Sequence, residues 1–182
     1  PANPTGAVLD DDVQDELARI ARDHDLLVYS DEIYDRLAYG TYRHRAFSSL
    51  PGMWERTILM GGFSKAYAMT GWRVGWVCAP APILEGIVKV HQYGIMSAPT
   101  VAQDAALVAL RDGDAAVEAM VAEYDRRRRL IVDGLNKLGL PTFEPRGAFY
   151  AFPDITSTGL TSDEFTEQLL RVDGEWLRRP TK

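Results

Sequence analysis

Apolar and polar positions follow two rhythms along the chain. Over residues 10–23 the apolar side chains Val13, Leu17, Ile20 and Ala21 recur at helical spacing. Three aspartates at the start suit the positive end of a helix dipole, so the pattern predicts a helix. Residues 26–29 are a short β-rich apolar run, the pattern of a strand buried on both faces. Similar runs follow at 57–60 and 73–78, after a loop-like stretch at 35–53 punctuated by Gly40, Pro51 and Gly52. Helical spacing then dominates over 82–95, 100–111 and 114–138, and Gly139 with Pro141 marks the end of the long helix. Residues 142–144 and 148–152 read as two short strands. A last amphipathic helix opens at Thr161, with Glu164 placed to complete a capping box. No internal repeat is visible.

Strands alternating with helices early in the chain predict an α/β fold with a mostly parallel sheet. The later order of long helix, strands and helix predicts a smaller α+β unit. The reading divides the chain at 1–108 and 109–182, with the helix at 114–138 bridging the two.

Composition narrows the class. The 182 residues are 46% hydrophobic and 25% charged, the balance of a soluble globular protein. That excludes a disordered tail, a collagen-like polymer and a disulfide-stapled miniprotein. Twenty Lys and Arg against 26 Asp and Glu leave a net charge of −6, which argues against nucleic acid as the partner. The four consecutive arginines at 126–129 are followed by apolar residues and read as a helix face. Cys78, the one cysteine, forms no internal disulfide, which fits a reducing compartment or carries no information, and the chain is expected to be cytoplasmic. No stretch reaches the ~18–20 apolar residues that cross a bilayer. His24, His44 and His91 share no ligand spacing, so no metal site is expected. The chain opens at Pro1 directly on a turn, and the reading expects further sequence upstream.

In open α/β sheets ligands gather at the carboxyl ends of strands. Three polar constellations fall at such places: Asn3-Pro4-Thr5-Gly6, Asp31-Glu32-Ile33-Tyr34, and Ser64-Lys65 with Arg73 beyond. Singly they read as a turn with an Asn3–Pro4 bond open to the cis form, a cap or ligand, and a solvated lysine. Their order carries more. The string Ser64-Lys65-Ala66-Tyr67-Ala68-Met69-Thr70-Gly71-Trp72-Arg73-Val74-Gly75 resembles the lysine segment of the class I/II aminotransferases. These are fold-type I enzymes that use pyridoxal 5'-phosphate (PLP). The other two constellations match that family's remaining cofactor motifs, and the resemblance covers residues 1–172.

The resemblance implies part of the large-domain sheet of fold type I, followed by a smaller α+β domain. It implies transamination between an amino acid and a 2-oxo acid through a Lys65 Schiff base. PLP serves as an electron sink when its ring nitrogen stays protonated, and the resemblance gives Asp31 that task. Tyr34 and Asn3 would serve the ring's phenolic oxygen, with Asn3 also touching substrate. Lys65 would bond the cofactor, be displaced by the substrate amine, and then carry the proton. Arg73 offers a planar fork to the phosphate, and Ser64 a hydroxyl. Ile33 would lie against a ring face, whereas Trp72 and Trp76 read as packing. Gly147-Ala148-Phe149-Tyr150 resembles a small-domain segment that nears substrate. The family also implies a homodimer.

The sequence departs from the family at several places. Gly62 stands where many relatives carry a hydroxyl. The Gly-rich phosphate loop, the stacking aromatic and the carboxylate-binding arginine are not found, and neither Arg178 nor Arg179 is assigned that last role. Residues 172–180 do not resemble the family. The reading therefore expects a piece of a longer enzyme, inactive by itself. Tyr93 occupies the place where dicarboxylate-specific relatives can carry an arginine before Ser97-Ala98-Pro99, which leans slightly away from that subtype without excluding aspartate, and the Trp- and Tyr-rich surroundings are compatible with aromatic, alanine-like or broad amino donors. The competing readings are a PLP-dependent lyase of the same fold, an aminotransferase-like effector domain of a transcription regulator, and a structural remnant.

Overall fold

The computed structural model describes residues 1–176. Helix α1 (Asp11–Asp23) begins on Asp11 and Asp12, in the turn where the helix dipole favours carboxylates. It buries Gln14, Ala18 and Ala21, so its inward stripe lies beside the one that apolar spacing predicts, and Val13 and Leu17 stay exposed. The two alanines let the helix lie close on Phe47, Leu50 and Met53.

Three strands follow: β1 (Val28–Asp31), β2 (Thr57–Gly62) and β3 (Gly75–Cys78), in the order β1-β2-β3. β1 and β2 are parallel, with Asp31 opposite Met60, and β3 runs antiparallel to β2, with Gly62 opposite Gly75. β1 starts later than the apolar run because the Leu26 amide donates to the Ala21 carbonyl and completes the end of α1. Nor is β1 buried on both faces among the described residues, since Tyr29 is 63% exposed. β3 starts at Gly75 rather than at residue 73 because Arg73 takes a left-handed φ of 52°, which no strand residue adopts.

Helices α2 (Ala81–Gly94), α3 (Thr100–Asp112) and α4 (Asp114–Lys137) match the predicted spans to within about a residue. Past α4, Gly139 at φ 79° and the Leu140 amide on the Leu135 carbonyl form the predicted glycine stop. The capping box also forms ahead of α5 (Ser162–Trp176). There the Thr161 amide donates to Glu164 Oε2, and the Glu164 amide to Thr161 Oγ1.

The strand pair expected at 142–144 and 148–152 is a correction. The contacts are single bridges, Thr142 with Pro153 and Ala38 with Gly147. Pro145 and Pro153 lack ladder donors, Ala148 sits at φ 56°, and Thr142 is instead held by the Asn136 side chain. No helix among the described residues is long and apolar enough to cross a membrane.

Candidate active site

The lysine lies in a loop that closes on itself between β2 and β3. Phe63 N–H donates to the Val74 carbonyl, Met69 N–H to Phe63, and Ala68 N–H to Lys65, with Ala68 at a left-handed φ of 53°. Phe63 and Met69 anchor the loop on Ala106 of α3. At its far end, Thr70 Oγ1 donates to the Ser64 carbonyl and Arg73 Nη1 to the Thr70 carbonyl, at 2.9 and 2.8 Å. Ser64 and Arg73 thus share one loop, and Arg73 is exposed.

Tyr34 and Phe149 flank the lysine amine. Lys65 Nζ lies 5.9 Å from the Tyr34 ring centre and 5.5 Å from that of Phe149, within cation–π range. Lys65 Nζ has no ion-pair partner among the described residues. Asp31 ends β1, and its Oδ1 accepts the Ile33 amide at 3.2 Å, which turns the chain so that Tyr34 enters the core with Leu37 and Ala148. Burial raises the Tyr34 phenol well above its ordinary value, reinforced by the Tyr150 hydroxyl; the Asn3 amide works the other way, and the Asp31 charge raises it further. Asn3 and Asp31 therefore act on the same hydroxyl.

The Asn3 turn is pinned from the far end of the chain. The Asn3–Pro4 bond is cis, and the Gly6 amide donates to the Ala2 carbonyl. Both Arg146 N–H and Gly147 N–H donate to the Gly6 carbonyl. Gly6 has φ 72°, and a Cβ there would approach the Gly147 carbonyl oxygen to 3.0 Å. Ala148 N–H then donates to Leu37, and Tyr39 Oη to the Ala148 carbonyl, which delivers Phe149 and Tyr150 to Tyr34. Asn3, Asp31, Tyr34 and Lys65 are thereby brought together, with Phe149 and Tyr150 as further members.

Two residues to which the sequence alone assigns no role, Glu32 and His44, also shape the candidate site. Glu32 points opposite to Asp31 and is buried, where Oε2 meets His44 Nε2 at 2.5 Å and Oε1 accepts Phe47 N–H and Ser30 Oγ at 2.9 Å. A buried acid beside Asp31 was the available signal, since such a group needs a partner; spacing among the histidines had nothing to reveal.

The family model for aminotransferase class I and II matches residues 1–180. The chain belongs to this family. The match runs past residue 172, where the motif resemblance ends. Aspartate aminotransferase of Pyrococcus abyssi (strain GE5 / Orsay) is 52% identical over 172 residues, 93% of this chain and 44% of that protein. Aromatic-amino-acid aminotransferase 2 of Thermococcus litoralis is 48% identical over 173 residues, 94% of this chain and 44% of that protein. The structure of an aromatic aminotransferase from Pyrococcus horikoshii OT3 superposes with a TM-score of 0.91 at 51% identity, over 93% of this chain and 46% of that one. That of N-succinyldiaminopimelate aminotransferase from Mycobacterium tuberculosis gives 0.90 at 33% identity, over 94% and 45%. This aminotransferase chain thus spans less than half the length of these relatives, and its α/β fold is that of the fold-type I enzymes.

Members of the family use PLP, and the donor set here fits the ring end of that cofactor. It comprises a lysine amine between aromatic rings, a buried phenol beside an amide, and a carboxylate at a strand end. Gly62 fits as well, in its own way. A Cβ there would come 3.1 Å from Gly75 Cα and 3.3 Å from Ile33 Cδ1, so a side chain at this position would be tightly packed. Arg178 and Arg179 lie outside the described residues.

Proposed function

We propose that this chain supplies the lysine half of a PLP-dependent aminotransferase that exchanges amino and oxo groups between an amino acid and a 2-oxo acid. The observation that carries the proposal is the Lys65 amine, flanked by the Tyr34 and Phe149 rings and beside a buried hydroxyl. When bound, PLP supplies the electron sink for the substrate's α-carbon electrons. Lys65 bonds the cofactor and afterwards moves the proton from and to the α-carbon. Asp31 holds the charge of the ring nitrogen, Tyr34 and Asn3 serve the ring oxygen, and Asn3 also borders the substrate. Arg73 and Ser64 bind the phosphate.

Aspartate and aromatic amino acids are the donors to test first, being those named for the Pyrococcus abyssi and Thermococcus litoralis relatives. The relatives named above are aminotransferases, which favours transamination over elimination or a regulatory role. We assign residues 1–108 to the large domain and 109–182 to the small one, in a cytoplasmic homodimer.

The test is borohydride reduction after incubation with PLP, followed by peptide mapping. In the full-length protein the pyridoxyl adduct is expected on Lys65 alone; labelling scattered over several lysines would overturn the proposal. The 182-residue chain by itself is expected to show no transamination with aspartate or phenylalanine and 2-oxoglutarate. Turnover by a homogeneous preparation would refute that.

A further inference from the structure

We infer that Tyr150 is a positioning residue: its hydroxyl donates to the Tyr34 hydroxyl and leaves the Tyr34 proton for the ring oxygen of the cofactor. The inference rests on the proposed function. The two hydroxyls lie 2.6 Å apart. A phenol has one proton to give, so one member of the pair donates and the other accepts. Tyr150 Oη has its one hydrogen bond among the described residues with Tyr34. Tyr34 has a second acceptor to serve, because the phenolic oxygen of PLP is an anion that takes donors only. Donation from Tyr150 satisfies both demands, and two hydrogen bonds in series strengthen one another in a buried site.

The geometry holds the pair in register. Tyr34 meets Phe149 and Tyr150 edge to face, with ring centres 5.4 and 5.8 Å apart and planes at 83° and 79°. The segment bearing Tyr150 is fastened to Gly6, Leu37 and Tyr39, so its hydroxyl reaches Tyr34 from a chain position 116 residues away. This gives the Gly147–Tyr150 segment a role at the cofactor as well as near substrate.

The test uses the full-length protein loaded with PLP, and titrates the visible absorption band of the bound cofactor in wild type, Y150F, Y34F and the double variant. A donor on the ring oxygen favours the deprotonated form, in which that oxygen does not share its charge with a neighbouring proton. Y150F is therefore expected to move the midpoint upward by about half a pH unit, the scale of one hydrogen bond felt through a neighbour. Because Tyr150 acts through Tyr34, Y150F is expected to add no shift in the Y34F background. A midpoint unchanged in Y150F but raised in Y34F would overturn the inference and leave the proposed function standing. Equal shifts in both backgrounds would also overturn it, by showing that Tyr150 acts independently. Absence of a Lys65-dependent band in wild type would instead refute the proposed function, and the inference with it. A second readout needs no cofactor: the 13Cζ resonance of Tyr34 in the PLP-free protein is expected to move in Y150F, and an unmoved resonance in a folded variant counts against the pair.

Discussion

His44 Nε2 lies 2.5 Å from Glu32 Oε2, so a loop twelve residues downstream is tied to the buried acid that separates Asp31 from Tyr34. The carboxylate also takes the Phe47 amide and the Ser30 hydroxyl. These bonds hold the turn between Asp31 and Tyr34.

Neutralising Glu32 takes the charged partner from His44. E32Q is expected to cost about 1–2 kcal/mol, more than an exposed ion pair, because Gln keeps one oxygen for the Phe47 amide and the Ser30 hydroxyl but puts an amide nitrogen opposite His44, which loses its carboxylate partner. Urea unfolding of the 182-residue chain measures it, and a change below about 0.5 kcal/mol would contradict the role.

The same carboxyl sets a pH dependence. Burial works upward on it, but hydrogen bonds from His44, Phe47 and Ser30 more than offset this and hold it below its ordinary value of 4.5. A folded value below the unfolded one means that the stabilisation is complete above about 4.5 and is lost as pH falls through the folded value. Wild type is therefore expected to lose stability more steeply than E32Q on acidification below that point. Parallel stability curves for the two proteins would exclude it.

Gly61 and Trp76 make a second close relationship. A Cβ on Gly61 would stand 2.8 Å from Trp76 Cε2 and nearer still to Cζ2, so the indole of β3 covers the glycine of β2. G61A is expected to destabilise the chain by about 1–3 kcal/mol through overpacking. The loss should shrink in a W76L background, where the space is returned. An equal loss in both backgrounds would place its origin in the backbone.

The four arginines at 126–129 are unequal. Arg128 is only 10% exposed, bonds Asp125, Glu144 and the Pro145 carbonyl, and lies 5.2 Å from the Tyr39 ring centre. Arg127 is 64% exposed and, among the described residues, pairs with Glu123 alone. R128A is expected to cost about 2 kcal/mol or more, and R127A no more than about 0.5 kcal/mol. Comparable denaturation midpoints for the two variants would contradict this.

Val90 and Tyr93, at i and i+3 on α2, are 76% and 93% exposed, and Tyr29 is exposed on edge strand β1 of the described sheet. Exposed apolar side chains and an open strand edge each favour association. Light scattering of the isolated chain is expected to show mass above the monomer as concentration rises, and V90K/Y93K to reduce it. A monomer throughout would refute the prediction.

Much of the fold was legible in the residues themselves. The spans of α2, α3 and α4, the glycine stop at Gly139 and the capping box at Thr161 depend on neighbours within a turn or two, and all appear where spacing and caps place them. The family was legible in the same way, from short motifs around Asn3, Asp31 and Lys65, and the class I and II match bears it out. The arginine run at 126–129 lies on a helix, as expected, and each guanidinium finds an acid three or four residues before it on α4, but the run wraps around the helix and Arg128 turns inward.

The sequence by itself determined which stretches coil, where they stop and to which family the chain belongs, because those follow from interactions local in the chain. Tertiary structure alone decided that α1 buries Gln14 and Ala18 rather than Leu17, and that residues 142–152 bridge instead of pairing as strands. It also decided that His44 answers Glu32 and Tyr150 answers Tyr34. These outcomes turn on what covers each face and on which buried polar group finds a partner 12 or 116 residues away. Desolvation makes such pairings obligatory, and no periodicity along the chain records them.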